Sequence, residues 1–473
     1  MNTDIIYIMR HELVLTLVAL IILITDIFTL PSQKKSIRSM SIILFALVTA
    51  IGFIPVKTGI LFGGMYVSND IQVMMKNILN IGVLIVFIQS HNWLGNTDYK
   101  EKISEFYILT LSTLLGMNFM ISSGNFLMFY IGIELATIPI ASLAAYDKLR
   151  NKSAEAGIKL ILSSALSSGI MLWGISMIYG TTGSVYFKDV ISLMGTNSLQ
   201  VLAFIFFFAG MAFKISLVPF HLWAADVYEG SPVTITSYLS VISKGAAVFI
   251  FTIVLFTVFS NIAYLWKDVI YITAILTMTI GNLFAIRQKN LKRFLAFSSI
   301  SQAGYILLGI ISGTQLGMTS IVYYILIYIF SNLGAFGVIS VVSAVTGKES
   351  MDDYDGMYKT NPKLSLIMTL ALFSLAGIPP VAGFFGKFFL FTAAAQQGYY
   401  VLVIIAVLNT IISLYYYLLI VKAMFINTNE HPVVAFKSDF YSKLGLFICI
   451  AGIVITGFAS IIFEYIRTLS FGL

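Results

Sequence analysis

Long apolar stretches separated by short polar or charged segments run along the whole chain of 473 residues. A stretch of ~20 apolar residues is long enough to cross the ~30 Å hydrocarbon core of a bilayer as a helix. The pattern therefore predicts an all-α polytopic membrane protein with about fourteen transmembrane helices. These predicted spans are 13–30, 40–54, 71–90, 106–121, 126–143, 158–180, 201–222, 233–259, 269–286, 294–311, 318–345, 364–391, 399–425 and 444–463.

Proline interrupts two of the predicted spans close to a lysine. Lys214 precedes Pro219 in the seventh span, and Lys387 follows Pro380 in the twelfth. Proline breaks helical hydrogen bonding, and irregular backbone is tolerated in a membrane only against protein or a water-filled cavity. Two discontinuous helices that lie five helices apart in chain order, here the seventh and the twelfth, are typical of inverted-repeat transporters.

This spacing predicts four segments along the chain. An N-terminal segment of three helices covers 1–105. Two inverted repeats, helices 4–8 and helices 9–13, cover 106–259 and 260–426. The last helix lies in 427–473.

Composition supports the membrane assignment. The chain is 59% hydrophobic and 10% charged, with mean hydropathy +0.94, whereas soluble domains carry about 25% charged residues. The lone cysteine, Cys449, excludes an intrachain disulfide and iron–sulfur ligation. We attribute the net charge of +7 to loops facing anionic lipid rather than to nucleic-acid binding.

Lysine and arginine concentrate in the loops that follow odd-numbered spans. The positive-inside rule then places those loops in the cytoplasm and both termini on the periplasmic side of a bacterial inner membrane. Segment 224–231 departs from the rule because it carries Asp226 and Glu229 and no base. Lys76 interrupts the third predicted span, and we count it among the basic loop residues of the outer side.

Apart from Lys76, five lysines lie inside predicted spans. Lys422 is three residues from its helix end and can snorkel to the interface, which leaves Lys159, Lys214, Lys244 and Lys387. A lysine at the bilayer centre costs at least about 2.5–3.5 kcal/mol, so it persists only beside water, a carboxylate or backbone carbonyls. A buried lysine can also gain and lose a proton as its surroundings change. The set predicts a proton relay, with static ion pairs that order the bundle as the alternative.

Few polar partners are available within the spans. Glu134 lies in the middle of the fifth span and is the expected partner of Lys214 or Lys159. Ser163 and Ser167 share one helix face with Lys159, and they either allow close helix packing or line a hydrated path. His221 follows the first break, where it either joins the relay or bonds a freed carbonyl.

Four motifs resemble those of the antiporter-like membrane subunits of respiratory complex I, the bacterial NADH–quinone oxidoreductase. They are FKISLVPFHLW at 213–223, GSPV at 230–233 followed by SVISK at 240–244, RQKNLKRFLAFSSIS at 287–301, and AGIPPVAGFFGK at 376–387. In length and helix count the resemblance covers nearly the whole chain. Lys387 and the ten residues after the last predicted span fit a member without the long lateral arm of the largest such subunit.

The resemblance implies a translocase subunit that moves protons and has no redox centre of its own. Quinone, FMN and iron–sulfur clusters are then expected in other subunits, with no cofactor or metal in this chain. Its partners would be other membrane subunits, antiporter-like neighbours and lipid, and no nucleic acid. The resemblance also implies a set of proton-relay residues. The family's relay positions match Glu134, Lys159, Lys214, Lys244 and Lys387 in this chain.

One position departs from the family pattern. Many relatives carry histidine on the tenth helix where this chain has Gln302, and glutamine cannot hold an exchangeable charge. Two rival functions remain open. The chain could be a subunit of an Mrp-type sodium/proton antiporter, or a structural scaffold with fixed ion pairs.

Overall fold

The computed structural model describes residues 3–30, 33–55, 57–96, 99, 101–429 and 432–469. Within these residues the chain is almost entirely helical. The N-terminal part contains α1 (Thr3–Ile8), α2 (Arg10–Phe28), α3 (Lys35–Gly52), the antiparallel strands β1 (Gly59–Leu61) and β2 (Tyr66–Ser68), and α4 (Asp70–Trp93). A single 3-10 turn, Phe62–Gly64, joins the strands.

The next part corresponds to the first predicted repeat. It contains α5 (Ile103–Ile121), α6 (Phe126–Ala144), α7 (Asn151–Thr182), α8 (Phe187–Leu193), α9 (Ser198–Ile215), α10 (Leu222–Gly230), α11 (Val233–Tyr238) and α12 (Lys244–Thr257). A π-helical segment, Leu239–Ser243, joins α11 to α12 into one continuous span.

The remainder corresponds to the second predicted repeat and the last span. It contains α13 (Ala263–Ile286), α14 (Leu291–Ser312), α15 (Gln315–Thr346), α16 (Met357–Thr360), α17 (Pro362–Ala376), α18 (Ala382–Gln396), α19 (Tyr400–Phe425), α20 (Phe440–Phe458) and α21 (Ser460–Thr468). Two 3-10 turns, Ser260–Ile262 and Met351–Tyr354, precede α13 and α16.

The predicted membrane architecture is confirmed. Thirteen helices of the described chain are long and apolar enough to cross a membrane, and the paired half-helices α17 and α18 account for the remaining predicted span. The two predicted interruptions are also present, between α9 and α10 and between α17 and α18. At the centre lie α14, buried along its whole length, and α15, buried over nearly all of it.

The first break is held by hydrogen bonds that satisfy its freed backbone groups. Ser216 has a left-handed backbone (φ 65°) that ends α9. The Trp223 indole N–H then donates to the carbonyl of Phe213 at 3.0 Å. The amide of Val218 donates to Thr277 Oγ1 at 3.1 Å. This irregular backbone is therefore satisfied by protein groups, as a membrane interior requires.

The second break depends on glycine. Gly377 ends α17 with φ 85°, which glycine adopts without steric cost. A Cβ on Gly383 would lie 1.7 Å from the carbonyl oxygen of Ser374, so only glycine fits there. The Ser374 hydroxyl accepts from the Gly383 amide at 3.2 Å and from Ser331 of α15 at 2.7 Å. The break is thus fastened to the central helix α15.

Loops that follow even-numbered spans contact each other at one end of the bundle, and loops that follow odd-numbered spans contact each other at the other end. At one end, Tyr66 pairs with Ser123 through an isolated bridge between the loops after the second and fourth spans. At the other end, Asn290 pairs with Ser350 between the loops after the ninth and eleventh spans. This grouping agrees with the predicted separation of even and odd loops.

Candidate functional site

Lys214, at the last turn of α9, makes its hydrogen bond to a neutral group. Its ammonium donates to Thr137 Oγ1 of α6 at 2.6 Å. Glu134 lies one turn earlier on the same face of α6, and its Oε1 is buried without a hydrogen-bond partner. Among the described residues no ion pair joins Glu134 to Lys214. The expected pair is therefore adjacent but open.

Lys244 is the first residue of α12 and is only 5% exposed. Its ammonium donates to Ser299 Oγ of α14 at 2.7 Å and lies 5.5 Å from the ring centroid of Tyr228. The π-helical segment immediately before it shifts the register of the helix, and such segments are frequent at functional sites. Lys244 is thus held in the bundle interior by a hydroxyl and an aromatic face.

Lys387 caps the broken helix α17 from the following half-helix. Its ammonium, 3% exposed, donates to the carbonyls of Leu375 and Ala376 at 3.0 and 3.1 Å. These carbonyls lie in the last turn of α17, where the backbone carries partial negative charge. The ammonium also lies 4.5 Å from the ring centroid of Tyr305. Like Lys244, Lys387 has only neutral partners among the described residues.

Lys159 lies apart from these three lysines, in an ion-pair network on the side of the odd-numbered loops. Its ammonium is 2.7 Å from both Glu155 and Asp226, and 42% of its side chain is exposed. Asp226 is shared with Arg293 at 2.6 Å, and Glu229 contacts Arg293 at 3.2 Å. Glu229 also accepts from Lys152 at 3.0 Å.

This network accounts for the acidic segment that departs from the positive-inside rule, because each of its carboxylates faces two cations. Partial burial would raise the pKa of Asp226. The hydrogen bonds from Lys159 and Arg293 outweigh that effect, so the pKa of this carboxyl lies below its ordinary value. The segment between the two spans is therefore held by charged pairs at neutral pH.

The serines on α7 and His221 take mainly packing positions. Ser163 donates to the Lys159 carbonyl of its own helix. Ser167 donates to the Gly210 carbonyl of α9 at 3.4 Å, where the two helices pack closely. His221 precedes α10, is 7% exposed and is hydrogen-bonded to the backbone of Pro219, while its Nδ1 has no partner among the described residues.

One buried charged cluster was missed, and the assignment of Lys76 to the outer loops was wrong. Lys76 lies inside α4, 1% exposed, with its ammonium 2.6 Å from Glu12 of α2. The Tyr66 hydroxyl accepts from Lys76 at 3.0 Å and donates to Glu12 at 2.9 Å. Glu12 stands just before the first apolar run, so the sequence pattern gave no sign that it pairs with a lysine sixty-four positions away.

The described residues contain no group of three histidine, cysteine or acidic side chains placed to hold a metal ion. What the site offers instead is a set of interior ammonium groups with hydroxyl, aromatic and carbonyl partners. Such groups can change protonation state without leaving a buried carboxylate unpaired.

Comparisons with known proteins identify the family to which the chain belongs. The family described as NADH:quinone oxidoreductase/Mrp antiporter, TM, matches residues 123–413. The NADH-quinone oxidoreductase subunit N of Phocaeicola vulgatus is 54% identical over 457 residues, covering 96% of this chain and 97% of the relative.

Solved structures share the fold. A chain of respiratory complex I from Thermus thermophilus is 26% identical, with TM-score 0.79 and coverage of 96% of this chain and 98% of its own. A chain of the Mrp complex from Dietzia has TM-score 0.84 at 19% identity, covering 99% and 97%. The protein therefore belongs to the NADH:quinone oxidoreductase/Mrp antiporter family of membrane subunits, and the relatives that it matches over nearly its whole length include subunits N of NADH-quinone oxidoreductases.

Proposed function

We propose that this chain is a proton-translocating subunit of a NADH–quinone oxidoreductase, with no redox centre of its own. The observation that carries the proposal is that Lys214, Lys244 and Lys387 are held by neutral groups. In a scaffold of fixed ion pairs, each interior ammonium would face a carboxylate, as Lys76 faces Glu12. The relay lysines lack that constraint, which favours transport.

Protons would enter from the cytoplasm toward Lys244, pass through the middle of the bundle and leave through Lys387. Glu134 and Lys214 would form the switch. When Glu134 is close, it supports the charge on Lys214. When Lys214 instead contacts Thr137, as here, its charge repels that of Lys244 and favours release of a proton.

Lys159 would act earlier, at the entry side, since it belongs to the exposed network with Asp226 and Arg293. Opening or closing these pairs would move α10, the half-helix that follows the first break. His221 precedes the same half-helix and would respond to that movement.

The remaining parts of the reaction would lie in other subunits. Quinone reduction, FMN and iron–sulfur clusters are expected there, and this chain would contact antiporter-like neighbours and lipid. We place it in the bacterial plasma membrane with both termini outside. The alternative is an Mrp-type sodium/proton antiporter subunit. Co-purification with quinone-reducing subunits favours the main proposal, and co-purification with antiporter subunits favours the alternative.

The central test is the Lys244→Ala variant in the assembled complex. We expect proton translocation to be lost and electron transfer to become slow or uncoupled, because the relay loses its entry group. Proton uptake per electron is measured in inverted membrane vesicles. Lys387→Ala should behave similarly.

Lys289→Met is the matched control. This lysine is 80% exposed and pairs with Asp352 in a loop, so its removal should leave the proton-to-electron ratio unchanged. A normal ratio in the Lys244→Ala complex would refute the proposal.

A further inference from the structure

Gln302 of α14 is fully buried, and both ends of its amide are hydrogen-bonded. Its Nε2 donates to the carbonyl of Leu375 at 3.0 Å and to the Tyr417 hydroxyl at 3.1 Å. Its Oε1 accepts from the hydroxyl of Tyr324. The side chain therefore joins α14 to α15, α17 and α19 at one point.

The carbonyl of Leu375 is shared with a relay lysine. It accepts from Gln302 and also from the ammonium of Lys387. When Lys387 is uncharged it binds this carbonyl less strongly, but Gln302 keeps the oxygen hydrogen-bonded. A buried carbonyl left unpaired would cost about 1–3 kcal/mol. Gln302 thus makes the end of the broken helix α17 stable in both states of Lys387.

Lys244, a second relay lysine, contacts the same face of α14. Ser299, which accepts from Lys244, lies three residues before Gln302, a rise of ~4.5 Å along the helix. Residues three apart lie on neighbouring parts of one helix face. α14 therefore carries, within one turn, the hydroxyl that accepts from Lys244 and the amide that shares the Leu375 carbonyl with Lys387.

Tyrosine hydroxyls surround this stretch of α14. Tyr417 is hydrogen-bonded to Ser298 as well as to Gln302. The buried hydroxyls of Tyr228 and Tyr328 lie beside Ser299, and neither makes a full hydrogen bond within the described part of the chain. Buried polar groups of this kind usually bind water. Hydroxyl groups along this face are available for proton transfer.

We propose that Gln302 is a positioning residue that links Lys244 to Lys387 without ever carrying charge. It orients the hydroxyls of Tyr324 and Tyr417 and holds the Leu375 carbonyl. A proton leaving Lys244 would pass along hydroxyls and water, each group releasing one proton as it receives another. Lys387 would accept the last proton. This inference rests on the proposed function of the relay lysines.

The test uses the assembled complex in inverted vesicles. In Gln302→Leu, the proton-to-electron ratio is expected to fall to that of the Lys387→Ala complex, because the hydroxyls and the carbonyl lose their common partner. Gln89→Leu is the matched control. Gln89 is also buried and donates to a backbone carbonyl, that of Leu333, at 3.1 Å. It contacts none of the relay lysines, so its variant should keep the wild-type ratio.

A pH profile separates transfer from packing. Gln302→His introduces an imidazole, a group whose ordinary pKa of ~6.5 lets it gain and lose a proton near neutral pH. Its proton-to-electron ratio should become pH-dependent between about pH 6 and 8, whereas the wild-type ratio should vary less there. Identical pH profiles for the two complexes would show that position 302 takes no part in transfer, and that result would overturn the inference.

Two outcomes distinguish this inference from the proposed function. If Gln302→Leu keeps the normal ratio while Lys387→Ala loses it, the relay stands and the role of Gln302 is wrong. If Lys387→Ala is also normal, the proposed function itself fails. Should Gln302→Leu not assemble, the double variant Tyr324→Phe/Tyr417→Phe removes only two hydroxyls. A normal ratio in that complex would overturn the inference.

Discussion

At the scale of single residues, the interior lysines differ in the groups that their ammonium groups contact. Lys214, Lys244 and Lys387 contact hydroxyls, aromatic rings and carbonyls, whereas Lys76 contacts a carboxylate. An ammonium paired with a buried carboxylate is costly to discharge, because the carboxylate would be left alone. The sequence identified the first three as relay candidates from their depth, but it could not show which partner each would have.

The Thr137→Val variant tests the contact that holds Lys214. The hydroxyl of Thr137 accepts from Lys214 and donates to the Ile133 carbonyl, and a hydrogen bond to a charged group contributes about 1.5–3 kcal/mol. Valine keeps the shape but removes the acceptor, so we expect a lower proton-to-electron ratio in vesicles. Thr137→Ser keeps the hydroxyl and should retain most activity. Equal ratios in the two variants would show that this contact does not matter for transport.

At the scale of elements, buried polar contacts fasten separate pieces of the N-terminal segment. Glu12 comes from α2, Tyr66 from β2 and Lys76 from α4, so one cluster joins two helices to the hairpin. The segment lies outside the part of the chain that matches the family, residues 123–413. Glu12, the charged partner of Lys76, could not be identified from local sequence, since it lies sixty-four positions away.

The Glu12→Ala variant should destabilise this segment by about 3–5 kcal/mol, because it leaves the ammonium of Lys76 buried and unpaired. Glu12→Leu/Lys76→Met removes both charges and should be far less destabilising. The stabilities of the two variants are compared through the midpoint of thermal unfolding of the detergent-solubilised protein. A double variant that is as unstable as Glu12→Ala would contradict an electrostatic cause.

At the scale of the whole molecule, the alternation of loops implies a definite orientation. We expect a cysteine replacing Lys289 to react with a membrane-impermeant maleimide only in inverted vesicles. One replacing Thr196 should react only in right-side-out vesicles. Both positions are exposed, and Cys449 is buried and should not compete. Labelling of both cysteines from the same side would contradict the predicted topology.

The sequence by itself determined the membrane architecture, the two helix breaks and the lysines near them. These follow from apolar length and from proline, which act locally and need no knowledge of neighbours. Only the tertiary structure decided which groups meet. In the structure Lys214 contacts Thr137 rather than Glu134, Lys159 lies in an exposed ion-pair network, and Lys76 is buried against Glu12. Gln302 shares the carbonyl of Leu375 with the ammonium of Lys387. Such contacts depend on how distant helices pack, and that packing is not encoded in the periodicity of any one of them.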